Sequence, residues 1–213
     1  MWGIRLHGAS ITPKSQISEI PIISSFGHFL NHTFAQAEEF GEKIVQSDPG
    51  LYQKKDPARR DSRQALTKYP GTQFIKINSG LRTGKINQSN PIVALMDMEV
   101  NNSKLPDNLT LWRGITAHVN WNVGETHAVK AFLSTTLLKD LARWKSGNSF
   151  DFPQSAPATI LEIRAQKNRA GLYMNNLDNI HGAEHEFLLP RNASLKVIEV
   201  KKHGEIQYIV CEY

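Results

Sequence analysis

The hydrophobic period of this 213-residue chain changes once, at the Leu105-Pro106-Asp107-Asn108 stretch, and that change constrains the fold more than any single motif. Upstream, apolar residues recur at helical spacing. Residues 26–46 place Phe26, Phe29, Leu30, Phe34 and Ala37 on one face and stop at Ser47-Asp48-Pro49-Gly50. Residues 62–69 read as a short helix ended by Pro70 and Gly71. Residues 72–84 begin with a Thr cap, keep Phe74, Ile75, Asn78 and Leu81 near one face, and close on a glycine. Residues 90–102 carry Pro91 in their first turn, a position where its missing N–H costs nothing. Downstream, the apolar runs are short and rich in β-branched and aromatic residues, each bounded by Gly, Pro, Asn or Asp. They cover residues 109–115, 131–137, 158–165, 184–190, 194–202 and 207–213. Helices followed by strands predict an α+β fold, an N-terminal helical layer packed on a compact mixed or antiparallel β-sheet core. Residues 1–60 read as a lead-in with one helix, open to contact with a partner, and residues 61–213 as the core domain.

A chain that is 40% hydrophobic has enough apolar material to build that core. The net charge of +5 suits an anionic ligand and is too mild to indicate nucleic acid. The densest basic run, residues 54–63, reads as a solvated turn. The single cysteine, Cys211, excludes an internal disulfide and sits in an alternating stretch as a packing residue. The opening MWGIRLHGAS lacks the apolar stretch of a secretory signal, and no run has membrane length. The expectation is a soluble protein, exported without a cleavable signal peptide. The histidines offer no pair at ligand spacing near a third ligand, so no metal is expected.

Three short stretches carry chemistry. In LTLWRGI (residues 109–115), Arg113 lies in an apolar strand, where a guanidinium is costly unless it meets an anion, and Gly114 permits close backbone approach. A guanidinium fork beside accessible backbone suits a phosphate or a carboxamide. In KAFLSTTL (residues 130–137), strand alternation sends Ser134 and Thr136 to one face, where their hydroxyls can hydrogen-bond a ligand or orient a carboxylate. In HGAEHEFLLP (residues 181–190), the same alternation makes Glu184 and Glu186 neighbours, with His185 on the opposite face. Two such carboxylates repel, which is tolerable on a solvated face or where a cation meets them.

Taken in order, an Arg, a Ser-Thr-Thr and a Glu-x-Glu on successive strands resemble the Arg/Ser-Thr-Ser/Glu-x-Glu class of mono-ADP-ribosyltransferases. The bacterial toxin branch, including the enzymatic components of clostridial binary toxins, looks most similar. ALTKYPGTQFIKINSGLR (residues 65–82) resembles the helix-loop-helix segment of that family, and LPDNLTLWRGI (residues 105–115) its approach to the Arg-Gly strand. The resemblance runs from about Ala65 to the C-terminus.

It implies an enzyme that consumes NAD as its substrate, cleaves the nicotinamide–ribose bond and passes ADP-ribose to an acceptor. Glu186 would stabilise the cationic sugar and Glu184 would face the acceptor. A glutamate at the first position favours arginine, since glutamine stands there in asparagine-modifying relatives. Arg113 would bind the phosphate side of NAD and the Gly114 backbone the nicotinamide amide. Ser134 would hydrogen-bond Glu186, while Thr135 and Thr136 shape the wall. Asn78 and Arg82 belong to the segment that covers NAD. Residues 139–154 correspond to a loop that folds over NAD, with Arg143 for phosphate and Trp144 or Phe150 for stacking. In the loop that reads the acceptor, Tyr173 is the available aromatic. Pro70 departs from the usual threonine, Thr136 from the usual serine, and Ala131 from an asparagine that holds NAD in some relatives. The partners implied are NAD, an acceptor protein of a host or competitor, and a delivery, chaperone or immunity partner. An NAD glycohydrolase, an RNA or small-guanidine acceptor, and a binding module without chemistry are the alternatives that the sequence leaves open.

Overall fold

Thr33 decides where the first helix begins. The computed structural model describes residues 29–69, 72–147, 157–175, 177 and 184–213. Within it α1 (Phe34–Ser47) opens on a capping box in which Thr33 N–H donates to Gln36 Oε1 at 2.9 Å and Gln36 N–H donates to Thr33 Oγ1 at 3.4 Å. The helix expected from residue 26 therefore starts later. Phe26 lies outside the described residues, and Leu30 is not helical but bridges to Leu109. α1 buries Ala37 and Gly41. A side chain at Gly41 would place its Cβ 2.1 Å from the Tyr173 hydroxyl, so only glycine lets this helix settle there.

The basic run is not a solvated turn. It holds a 3-10 turn (Pro57–Arg59) and the start of α3 (Arg60–Lys68), following the short α2 (Pro49–Tyr52). Arg59 pairs with Asp48 at 2.7 Å and with Glu99 of α5 (Pro91–Asn102). Arg63 Nη1 donates to the carbonyls of Gly50 and Asp56. Glu99 is buried, so the helical layer needs a cation at that place, and charge in the sequence here means packing. Leu51, Ala65, Leu66, Val93, Met96 and Val100 form the heart of this layer with Ile77 and Leu81 of α4 (Thr72–Thr83). Ile75, expected near the apolar face of α4, is exposed.

The layer rests on an eight-stranded mixed sheet made of β1 (Leu109–Ile115), β2 (Thr126–Val129), β3 (Leu133–Thr136), β4 (Ala158–Ala165), β5 (Leu172–Tyr173), β6 (Glu186–Leu189), β7 (Ala193–His203) and β8 (Ile206–Glu212). The strand order is β2-β7-β8-β4-β1-β3-β6-β5. β4 and β8 run parallel, and the other pairs are antiparallel. The expected α+β architecture is the observed one. The two strands not anticipated, β2 and β5, stand at the edges, where β2 is half-exposed and β5 has two residues.

Alternate residues of the strands feed different cores. Leu109, Leu111, Leu133, Phe187 and Leu189 pack with Ala37, while Phe132, Leu172 and Leu188 meet the helical layer. Cys211 is buried in the first of these cores, and burial pushes its thiol up to about 12. The segment after β3, expected as a loop, starts as a helix, α6 (Lys139–Lys145); its continuation with Phe150 lies outside the described residues. Ala142 of α6 packs with Trp112, Ile160 and Ile206, and the Lys139 ammonium sits 5.0 Å from the centre of the Trp112 ring. Among the described residues no helix is long and apolar enough to cross a membrane, and no group of side chains is suited to hold a metal ion.

Candidate active site

Neighbouring β1 and β3 separate after one pair. Trp112 stands opposite Thr136, and among the described residues that is the whole register between them, although β1 continues beside β4 as far as Ile115. The direction of the backbone groups on the open edge follows from the other end of β1. Thr110 N–H donates to Leu30 O at 3.0 Å and Leu30 N–H to Asn108 O at 3.1 Å, on the edge away from β4. Alternation along the strand sends the N–H and C=O of Trp112 and Gly114 to that same edge. Gly114 thus offers one donor and one acceptor to the gap.

The gap is a cleft of about 220 Å3. Trp112, Arg113 and Gly114 form one wall, Ser134, Thr135 and Thr136 the other; Leu141, Ala142 and Lys145 of α6 form the roof, with Phe74 and Glu184 at the sides. Arg113 reaches across it, and its Nη1 donates to the Ser134 carbonyl at 2.5 Å. Burial and the nearby Arg82 charge lower the pKa of the Arg113 guanidinium, and Tyr69 and Glu186 offset part of that fall. Such a cation gains from an anionic ligand. The glycine at 114 also has a structural cause. A Cβ there would lie 1.9 Å from the Ala142 carbonyl oxygen, so the close approach it permits is that of the α6 backbone.

The two glutamates are not successive strand residues. β6 begins at Glu186, Glu184 lies in a bend before it, and His185 between them has φ 44°, a left-handed conformation uncommon for a residue with a side chain. Simple alternation therefore does not set the direction of Glu184. Glu186 is buried, stands opposite Thr136, and donates its N–H to Asn175 Oδ1 at 3.3 Å. Glu184 lines the cleft, where its Oε1 is 2.5 Å from Lys145 Nζ. Its carbonyl accepts a hydrogen bond from the Thr136 hydroxyl at 2.6 Å. Ser134, expected on Glu186, stands opposite Leu188, so Thr136 is the hydroxyl residue across from that carboxylate. The Thr135 hydroxyl is spent inside the sheet, on Phe187 O at 2.8 Å.

His185 is buried behind the pair. Its Nδ1 meets the Tyr173 hydroxyl at 3.0 Å, and its ring stands edge-on to Phe34 at 5.1 Å. Tyr173 therefore supports the glutamates from the core side. Asn78 is buried and donates to the Tyr69 hydroxyl at 2.8 Å. Tyr69 is held well above the ordinary phenol range by burial first and by the Glu186 charge second, with Asn78, Arg113 and Arg82 opposing the shift. That links Tyr69, Arg82, Arg113 and Glu186 electrostatically. Of the α6 candidates, Trp144 is 62% exposed and Arg143 is partly buried; neither lines the cleft.

Sequence reasoning missed Phe74, Tyr69 and Lys145 at the site. Tyr69 and Phe74 stand close to Pro70 and Gly71 in the sequence and carry no polar pattern that separates them from core aromatics. Lys145 lies in a segment whose helix was not anticipated; placing a helical turn directly after β3 would have brought it over the cleft.

Comparison with known proteins matches this arrangement to one family. The family model described as ADP-ribosyltransferase exoenzyme matches residues 37–212. Among solved structures, C3stau2 from S. aureus with NAD is similar at a TM-score of 0.67 and 17% identity, over 87% of this chain and 98% of that one. The Clostridium limosum C3 exoenzyme is similar at 0.65 and 19%, over 90% and 98%. The ADP-ribosyltransferase Vis in complex with agmatine is similar at 0.63 and 17%, over 86% of each chain; the Vis toxin is from Vibrio splendidus. At these identities the likeness is one of fold. No curated protein matches in sequence.

Proposed function

The chain belongs to the ADP-ribosyltransferase exoenzyme family, and from that premise we propose that it cleaves NAD and transfers the ADP-ribose to an arginine side chain of a target protein. The observation that carries this reading is the separation of β1 and β3, which leaves the Gly114 N–H and C=O on an open edge between Arg113 and the glutamates. A carboxamide has one acceptor and one donor group, the complement of that edge. The fit to C3stau2, solved with NAD, supports the same substrate. The cleft of about 220 Å3 is small beside the ~300–1,000 Å3 of typical small-molecule sites, so it suits the nicotinamide end, with the rest of NAD lying outside it.

In this reading Arg113 and Arg82 take the phosphates, with Asn78 and Tyr69 supporting the Arg113 side from below. The bond from ribose C1′ to the nicotinamide nitrogen breaks with its electron pair going to nicotinamide, which leaves neutral. Glu186 stabilises the cationic sugar that remains, as a buried carboxylate can where water does not screen it. Thr136, across the sheet from it, and Ser134, beside it, shape that pocket. Glu184 receives the acceptor guanidinium, orients one nitrogen toward C1′, and takes the proton that nitrogen loses on bonding. A glutamate at 184 is also what supports a place beside the arginine-modifying members, the enzymatic components of clostridial binary toxins among them. That the Vis relative is in complex with agmatine, a guanidinium compound, supports the same acceptor chemistry. Residues 61–213 carry these roles. Arg143 and Trp144, with the segment after α6, are assigned to closure over NAD, and residues 1–60 to a delivery, chaperone or immunity partner. The site of action is then the cytosol of a target cell.

Nicotinamide release and transfer of labelled ADP-ribose to agmatine, followed together with purified protein, test the proposal. Glu186→Gln should lose both by about 100-fold or more. Glu184→Gln should lose transfer and keep nicotinamide release. Absence of NAD consumption with agmatine and with cell lysate would overturn it.

A further inference from the structure

We infer that Lys145 is a specificity-determining residue that occupies the acceptor's place on Glu184 and must be displaced by the incoming guanidinium. The inference rests on the arginine reading above and deepens it. Lys145 Nζ lies 2.5 Å from Glu184 Oε1, so in the absence of acceptor this carboxylate already holds a cation. Lys145 is fixed relative to the cleft because α6 is pinned there. The Ala142 carbonyl sits against Gly114 so closely that a Cβ would come within 1.9 Å, and Lys139 lies over Trp112.

The pair has the properties of an exchangeable lock. The side chains of Lys145 and Glu184 are 41% and 23% exposed, so water reaches the bond and screening keeps it weak. An ammonium is a point charge on a flexible stem, while a guanidinium presents parallel N–H groups that match both carboxylate oxygens. Exchange for a guanidinium therefore gains a bidentate contact. Exchange for another primary ammonium gains nothing, so Lys145 filters against lysine-like cations without closing the site to arginine.

Steady-state agmatine kinetics of the wild type, Lys145→Gln and Lys145→Arg test this, with the KM for NAD measured in parallel. Removing the competitor should lower the agmatine KM by up to about fivefold, the ceiling set by an exposed pair, with a much smaller change in kcat. Lys145→Arg keeps a cation and should restore the high KM. Cadaverine, which carries ammonium groups only, should inhibit transfer by Lys145→Gln more strongly than transfer by the wild type. An unchanged or higher agmatine KM in Lys145→Gln overturns the inference, and so does an effect confined to the KM for NAD, which would assign the ammonium to a phosphate. If the wild type modifies agmatine and Glu184→Gln abolishes it, such a result leaves the arginine reading standing. If the wild type consumes no NAD with agmatine or with cell lysate, both fall together.

Discussion

The Thr136 hydroxyl donates to the Glu184 carbonyl at 2.6 Å, joining the last residue of the Ser-Thr-Thr stretch to the first of the Glu-x-Glu pair. The same hydroxyl accepts from the Leu138 N–H at 3.0 Å, at the step from β3 into α6. One side chain thus ties the bend that aims Glu184 to the helix that carries Lys145. Thr136→Val keeps the volume and leaves both backbone groups without their partner, which should cost about 1–3 kcal/mol in urea unfolding. Thr136→Ser keeps the hydroxyl and should recover most of that, along with transfer to agmatine. A valine variant as stable and active as the serine one would show that the hydroxyl does not hold the bend.

Arg59 gives a prediction about stability alone. It bridges Asp48 and the buried Glu99, whose side chain is 3% exposed against 23% for the arginine. Arg59→Ala leaves a buried carboxylate without its cation, a loss of about 3 kcal/mol or more. In Arg59→Met with Glu99→Gln the charge is gone and the volume kept, so the double variant should unfold at higher denaturant than Arg59→Ala. Chemical denaturation of the two variants decides it.

These two sites show what the sequence made legible. Periodicity located β1 and β4 to the residue, because both are central strands whose long apolar runs leave little choice of boundary. Arg113 and Gly114 stand on β1, Ser134 and Thr136 on β3 and Glu184 just before β6, and all five line one cleft. What stayed hidden depends on contacts distant in sequence. Arg59 looks like surface until Glu99, 40 residues on, turns out to be buried. The glycine at 114 looks like room for a ligand until α6 fills the space above it. The direction of Glu184 depends on a left-handed residue, and histidine gives no sign of that conformation in a one-dimensional pattern.

That residue, His185, predicts a pH dependence. Burial lowers its pKa, with the Glu38 charge opposing, and burial followed by the His185 charge lowers that of His32, with Asp107 opposing. Among the described residues the His185 ring meets Tyr173, Asn175 and the uncharged Phe34. A base whose folded pKa lies below its unfolded value of about 6.5 takes up more protons unfolded than folded. Stability is therefore full above about pH 6.5, falls as pH drops below it, and levels off below the folded pKa. His185→Asn suits the left-handed backbone and removes one of the two titrations. Urea unfolding between pH 7 and 5 should give a shallower slope for the variant than for the wild type; equal slopes would assign the effect elsewhere.

Arg113 spans the cleft to the Ser134 carbonyl in surroundings that disfavour its charge, through burial first and Arg82 second. Arginine tolerates this because its ordinary pKa is so high that a lowered value still leaves it cationic at neutral pH. Lysine begins at about 10.4, and the same burial and the same neighbour would bring it down toward neutrality. Arg113→Lys should therefore weaken NAD binding by about tenfold or more through loss of the forked contact. The sign of its pH dependence should also be new. Lysine is charged below its pKa, so affinity for NAD in the variant should fall as pH rises through the neutral and mildly alkaline range, while the wild type stays flat there. Calorimetric titration of a non-hydrolysable NAD analogue at two pH values separates the cases. A variant that binds weakly but equally at both would mean that the geometry of the fork matters at this position and the desolvated charge does not.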